Sequence, residues 1–179
     1  MNPTLLSIAT LVLAACGGAM TTTPTPMLPP DDECTRGLAE ADLVATPWSG
    51  PGVQADGGLV EQNDVVVTTT FLALEPDEAS AKAFREVFAE IRTDLDTREG
   101  LIAWRTSTST RCVTARTLTV WTDEAKMFAF VNGQAHGKAV RAVVELSRGH
   151  SAVTQWRGPT SDATFETAIQ KIGAAPATY

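Results

Sequence analysis

The stretch DVVVTTTFLAL, residues 64–74, is a continuous run of β-branched and apolar residues. Such a run predicts a strand that is buried on both faces of a sheet. Pro76 and Asp77 then begin a predicted helix, and Gly100 is expected to end it. The apolar residues of that helix recur at helical spacing, namely Phe84, Val87, Phe88, Ile91 and Leu95.

Two strands are predicted next, LIAWRTSTS at 101–109 and CVTARTLTVW at 112–121, and so few residues separate them that they form a hairpin. A second helix is expected from Thr122 or Asp123 through Leu146, with an interruption at Asn132 and Gly133. Gly149 opens a last strand, HSAVTQW at 150–156, and SDATFETAIQKI at 161–172 predicts a short terminal helix.

The order βαββαβ with an extra C-terminal helix predicts an α+β, ferredoxin-like domain with one antiparallel sheet and its helices on one face. The other face of the sheet is then bare. Because a bare apolar face is usually buried by a partner, two such sheets are expected to pack face to face as a dimeric α/β barrel. The sequence therefore predicts a homodimer.

The first sixteen residues, MNPTLLSIATLVLAAC, are apolar and carry no charged side chain. The apolar run is shorter than the roughly 20 residues that span a bilayer, and small residues before a cysteine are typical of signal removal. Leu13 through Cys16 resemble a bacterial lipobox, which implies lipidation of Cys16. The alternative is a short buried helix with a chance cysteine.

Lipidation would make residues 1–15 a signal peptide and residues 16–33 a Thr- and Pro-rich tether to the membrane. The expected location is the cell envelope, with the outer membrane facing the periplasm as the default. Residues 34–62 are rich in Pro and Gly and predict an irregular N-terminal arm. Residues 63–179 are enough for one core and not two.

Cys34 and Cys112 remain as the two other cysteines, and in an oxidising compartment they predict one disulfide. It would close a loop of roughly 80 residues and stabilise the fold by about 4 kcal/mol on the chain-entropy model. A metal pair is the alternative, but neither cysteine has a CxxC companion and both histidines lie far away in sequence. No metal site is predicted. The net charge of −7 argues against a nucleic-acid partner.

The stretch VWTDEAKMFAFVNGQAHG, residues 120–137, together with the element order, resembles the antibiotic biosynthesis monooxygenase family of the dimeric α/β barrel superfamily. The resemblance covers residues 64–156, about half of the chain. It implies a monooxygenase-like domain that binds a small aromatic or apolar ligand and oxidises it without a cofactor. It also implies haem as the alternative ligand.

In the haem-degrading branch of that superfamily, a tryptophan closes the third strand and a histidine preceded by alanine binds the haem iron. Trp121 and His136 match these two positions, and the resemblance makes them the candidate catalytic residues. That branch also uses an asparagine in the first strand, where this chain has the threonines of VVVTTTFLAL. The departure puts haem degradation in doubt and leaves haem binding open.

Helical spacing alone places His136 on the core-facing stripe with Val140 and Val143. A histidine there must either have hydrogen-bond partners within the protein or serve a function. One interpretation is a half-buried ring hydrogen-bonded to a backbone carbonyl or a strand threonine. The other is a ligand to iron or a polar contact to a substrate. A single histidine cannot form a closed zinc site.

The hairpin places Arg105 and Arg116 opposite or nearly opposite each other on one face, and Trp104 and Trp121 on the other. Like charges across strands are destabilising, so the arginines need compensation. They either pair with acidic residues of a partner subunit or of the N-terminal arm, or bind the carboxylate of a ligand. Arg105, Arg116 and Trp104 are thus the candidate ligand-binding residues.

Three functions of different classes remain: a monooxygenase-like domain for a small aromatic or apolar ligand, a haem-binding protein that uses His136, and a non-catalytic interaction module of the envelope. The last predicts that side chains fill the space between the helices and the sheet.

Overall fold

The computed structural model describes residues 33–176. The strands are β1 (Val44–Ala45), β2 (Val65–Ala73), β3 (Leu101–Ser109), β4 (Thr114–Trp121) and β5 (Ala152–Gly158). The helices are α1 (Glu78–Leu95), α2 (Glu124–Val131), α3 (Gln134–Leu146) and α4 (Phe165–Gly173), and a short 3₁₀ turn, Thr160–Asp162, precedes α4.

The strands form one sheet in the order β1-β3-β4-β2-β5, and every neighbouring pair is antiparallel. Strands β2 to β5 with α1 and the broken helix α2–α3 make the βαββαβ unit. The predicted α+β, ferredoxin-like fold is confirmed. Strand β2 lies between β4 and β5 and is buried on both faces over most of its length, as its β-branched sequence predicted.

The element ends show where local geometry differs from the predicted boundaries. Helix α1 ends at Leu95, and turns occupy the residues up to Gly100, which adopts a positive φ of 79°. Strand β5 begins at Ala152, because Gly149 and His150 both have positive φ and cannot continue a strand. The break between α2 and α3 falls at Asn132 and Gly133, where it was predicted.

One face of the sheet carries helices α1, α2 and α3. At one end of this face Trp104, Trp121 and Phe130 pack with Leu95 and Met127. At the other end Leu72, Ala115 and Leu74 pack with Val143 and Leu146 of α3. Helices α1 to α3 therefore contact this face of the sheet at both of its ends. Between the two contacts, at the centre of the face, a space remains between the helices and the sheet.

The second face is covered by the chain itself, which corrects the expectation that it is bare. Phe165, Ala168 and Ile172 of α4 pack on it, and Trp48, Val53 and Leu59 of the N-terminal arm extend the cover. The arm also runs along the edge of β3, where the Thr46 amide donates to the Thr106 carbonyl. The N-terminal arm, which has no regular hydrophobic periodicity, thus covers part of one face of the sheet and one of its edges.

The arm is fastened to the hairpin β3–β4 by a disulfide and by a buried ion pair. Cys34 and Cys112 form the predicted disulfide, with Cα atoms 5.4 Å apart and 78 residues between them in sequence. Arg116 Nε donates to the Glu40 carboxylate at 3.0 Å, and the two side chains are 2% and 0% exposed. The guanidinium also donates to the carbonyls of Thr35, Arg36 and Leu38.

A third fastening joins Asp42 to the turn between β3 and β4. Its carboxylate accepts from the Ser109 hydroxyl, the Thr110 hydroxyl and the Arg111 amide. These hydrogen bonds lower the pKa of Asp42 to about 2, and the one from the Ser109 hydroxyl has the largest effect. The carboxylate therefore stays ionised and bound to the turn across the neutral pH range.

The covered face bears on the predicted homodimer. Two sheets can form a face-to-face barrel only if α4 and the arm leave the face that they occupy here. The homodimer stays a prediction.

The predicted signal peptide, Cys16 and the tether up to residue 32 lie outside the described residues. Within residues 33–176, no helix combines the length and apolar character needed to cross a bilayer.

We predict that Glu40→Gln destabilises the domain by about 3 kcal/mol or more, because it leaves the Arg116 charge buried without a counter-charge. Urea unfolding at neutral pH measures the change. The matched control is Glu33→Gln, which removes the partner of Arg111 in an ion pair whose two side chains are half exposed, and it should cost less than about 1 kcal/mol. Equal effects of the two variants would refute a stabilising role for the buried pair.

Candidate functional site

A cavity of about 600 Å³ lies between the helices and the centre of the sheet. This volume is within the range of small-molecule sites. Its walls are apolar and come mainly from the helices, through residues Phe84, Val87, Phe88, Ile91, Leu95, Met127, Phe128, Phe130, Val131, Ala139, Val140 and Val143. The cavity reaches β5, where the side chains of Val153 and Gln155 are exposed.

The floor of the cavity is made of threonines from the two central strands. Thr68 of β2 lies directly opposite Thr119 of β4, and Thr70 lies directly opposite Thr117. The hydroxyl oxygens of Thr68 and Thr119 are 2.5 Å apart, and those of Thr70 and Thr117 are also in hydrogen-bond contact. The floor therefore offers hydroxyl groups in a cavity whose other walls are mostly hydrocarbon, with His136, Gln155 and Thr106 as further polar residues.

His136 lies in the first turn of α3 and borders the cavity. Its ring meets the Phe130 ring edge-on, with centroids 5.1 Å apart. Burial lowers the pKa of His136 below its usual value, and a backbone hydrogen bond to Val131 and the charge of Asp94 oppose this only in part. The imidazole is therefore neutral at pH 7 and retains one nitrogen that can accept a proton or bind a metal.

Both tryptophans of the hairpin lie on the helix-facing side, as the alternation of the strands predicted. Trp104 borders the cavity, and its indole Nε1 donates to Asp96 at 3.3 Å. Trp121 is fully buried behind the cavity wall, and its Nε1 donates to the Thr119 hydroxyl at 2.8 Å. Trp121 is thus linked to the cavity floor by its hydrogen bond to Thr119.

The two arginines share the other side of the sheet. Arg105 pairs with Leu118 and Arg116 with Ser107, so the arginines are diagonal neighbours on one face, close to the predicted placement. Arg105 borders the cavity, but its guanidinium lies over the rings of Trp48 and Phe165, at 4.3 and 4.8 Å from their centroids. Arg116 is held by Glu40 of the arm. A carboxylate ligand of either arginine, which stays a prediction, would bind on the face covered by the arm.

The charges around the site are few. Arg105 is the sole charged residue among the described residues that border the cavity, and its guanidinium points away from it. Within residues 33–176, no group of three or more His, Cys, Asp and Glu residues is arranged to hold a metal ion. The cavity is thus a neutral enclosure with one imidazole and four central hydroxyls.

The structure brings Trp104 and His136 together at one cavity and places Trp121 one hydrogen bond away. Sequence reasoning did not assign the floor threonines a function, although the alternation Val66, Thr68, Thr70, Leu72 along one face of β2 was available. It also did not identify Glu40, which lies 76 residues from Arg116 in sequence.

No protein-family model matches this chain, and no curated protein matches it. Solved structures of similar fold include one from Caulobacter crescentus that is described provisionally as an antibiotic biosynthesis monooxygenase. It has 14% identity over 52% of this chain and 89% of the other, with a TM-score of 0.46.

A dimeric ferredoxin-like protein of unknown function from Jannaschia has 18% identity over 51% of this chain and 97% of its own, with a TM-score of 0.46. A conserved protein from Methanosarcina mazei has 12% identity over 52% and 92% of the two chains, with a TM-score of 0.48.

Proposed function

We propose that this protein binds a small, neutral, aromatic or apolar molecule in the cavity between its helices and its sheet. The cavity itself carries the proposal: about 600 Å³ of space is enclosed by apolar helix residues and a hydroxyl floor. A non-catalytic interaction module would be expected to fill this space with side chains, because protein interiors are close-packed. The open volume favours a ligand.

Oxidation of the ligand is the reaction that the family resemblance implies, and the site restricts how the chain could assist it. His136 is the one titratable side chain that faces the cavity among the described residues. A neutral imidazole can accept a proton from a ligand that ionises on reaction. Oxygen uptake in the presence of bound ligand distinguishes an enzyme from a binding protein.

We predict that Val140→Trp, which fills the cavity from α3, weakens binding of the neutral dye Nile red at least about tenfold, because occupied space excludes the ligand. Val140 borders the cavity, whereas Val144 on the same helix is 62% exposed and does not. Val144→Trp is therefore the matched control and should leave binding unchanged. Fluorescence titration measures both affinities, and equal loss in the two variants would place the dye elsewhere.

Haem is the second candidate ligand, and the surroundings of His136 favour it. The ring borders an apolar cavity, is neutral at pH 7, and has a backbone hydrogen bond to Val131. Histidines that bind metals commonly use their second nitrogen in this way. If haem is bound, His136 would hold it through an imidazole nitrogen, and the haem would supply an iron centre.

Haemin added to the intact protein should produce a Soret shift that saturates at one haem per chain and is lost in His136→Ala. His150→Ala is the control, because His150 is exposed on the loop before β5. A shift that persists in His136→Ala would exclude His136 as the residue that holds the haem. Absence of any shift in the unmodified protein would exclude haem.

We further propose that the protein is exported and anchored in the cell envelope through a lipid on Cys16. The disulfide between Cys34 and Cys112 supports export, because such bonds persist in oxidising compartments. Expressed in a Gram-negative host, the protein should incorporate a clickable palmitate analogue and fractionate with the outer membrane. Cys16→Ser should lose both properties, and retention of the label in that variant would refute the proposal.

A further inference from the structure

The threonine floor interrupts an apolar face. On the helix-facing side of β2, Val66 and Leu72 are buried in apolar clusters at the two ends. Thr68 and Thr70 stand between them and are half-buried beside the cavity. Valine would fill the same volume, so packing alone does not require hydroxyl groups at this place.

In the Thr68–Thr119 pair, the hydrogen bonds leave one hydroxyl hydrogen unused. The Trp121 indole can only donate, and it donates to the Thr119 oxygen. Thr68 and Thr119 share a single hydrogen bond between two hydroxyl groups, so one of the two hydrogens is not used in it. Within residues 33–176, neither hydroxyl donates to a backbone carbonyl. Because Thr119 is 7% exposed and Thr68 is half-buried at the cavity, Thr68 is the accessible member of the pair.

The surroundings determine which acceptor suits this hydrogen. No carboxylate or ammonium group faces the cavity from the described residues, and the Arg105 guanidinium lies between Trp48 and Phe165 on the opposite side of the sheet. A charged ligand would lose its hydration without gaining a counter-charge. A neutral carbonyl oxygen needs only one hydrogen bond to replace its bound water.

We propose that Thr68 positions the ligand by donating a hydrogen bond to its carbonyl oxygen, so that the cavity binds a neutral carbonyl compound more tightly than the hydrocarbon of the same shape. The inference rests on the proposed function, because it assigns the orienting contact of the same cavity. Trp121 is a positioning residue one step further away: its indole N–H occupies one lone pair of Thr119 and so directs the remaining hydrogen bonds of the pair.

Fluorene and fluorenone test the inference, because the two tricyclic molecules differ by one carbonyl oxygen. Each is used to displace Nile red from the intact protein. Thr68→Val should weaken fluorenone binding about three- to tenfold, as expected for one hydrogen bond, and leave fluorene binding within about twofold. Thr68→Ser keeps the hydroxyl and should restore the fluorenone affinity.

Thr154→Val is the control, because this threonine borders the cavity from β5 but alternates onto the covered face with Ala152 and Trp156. It should change neither affinity. If Thr68→Val weakens both ligands equally, or neither, the role of Thr68 is refuted while the cavity remains a binding site. If neither molecule displaces Nile red from the unmodified protein, the inference is overturned. If the unmodified protein does not bind Nile red at all, the proposed function is overturned.

Discussion

The constraint on which this structure depends is that its sheet is apolar on both faces. Val65, Val67 and Phe71 of β2 point to one side, and Val66 and Leu72 to the other. Each face must be removed from water, at a gain of roughly 25 cal/mol per Å² of apolar surface buried. Helices α1 to α3 cover one face. The N-terminal arm and α4 cover the other.

A cover made of irregular chain needs specific fastenings, because it has no periodic apolar stripe to align it. The disulfide brings Cys34 to the start of β4, and Glu40 then reaches Arg116 on the same strand. A buried charge pair is weak evidence for net stability, but breaking it is costly, so it selects one placement of the arm over others. The Arg116 guanidinium also lies over the Phe71 ring, with its Cζ 4.5 Å from the ring centroid, and this contact favours the same placement.

How much of this could be read from the sequence follows from the range of the interactions. Strand β3, the helix break at Asn132 and the side of Trp104 and Trp121 depend on local periodicity, and they were predicted. Acidic residues of the arm were one of the alternatives offered as partners of the arginines, but nothing local in residues 34–62 singles out Glu40 as the partner of Arg116. The two cysteines were paired by chemistry and not by geometry. His136 was recognised as either satisfied or functional, and it now combines a backbone hydrogen bond to Val131 with a place on the cavity wall.

The distribution of charge over the two faces explains why no charged group faces the cavity from the described residues. Arg105 and Arg116 both lie on the covered face, where Trp48, Phe165 and Glu40 compensate them. If the whole hairpin were shifted by one residue against β2, both guanidinium groups would face the cavity, because side chains alternate along a strand. The register observed leaves the cavity with hydroxyl groups and one neutral imidazole. The electrostatic cost of fastening the arm is therefore confined to one side of the sheet, and the cavity lies on the other side.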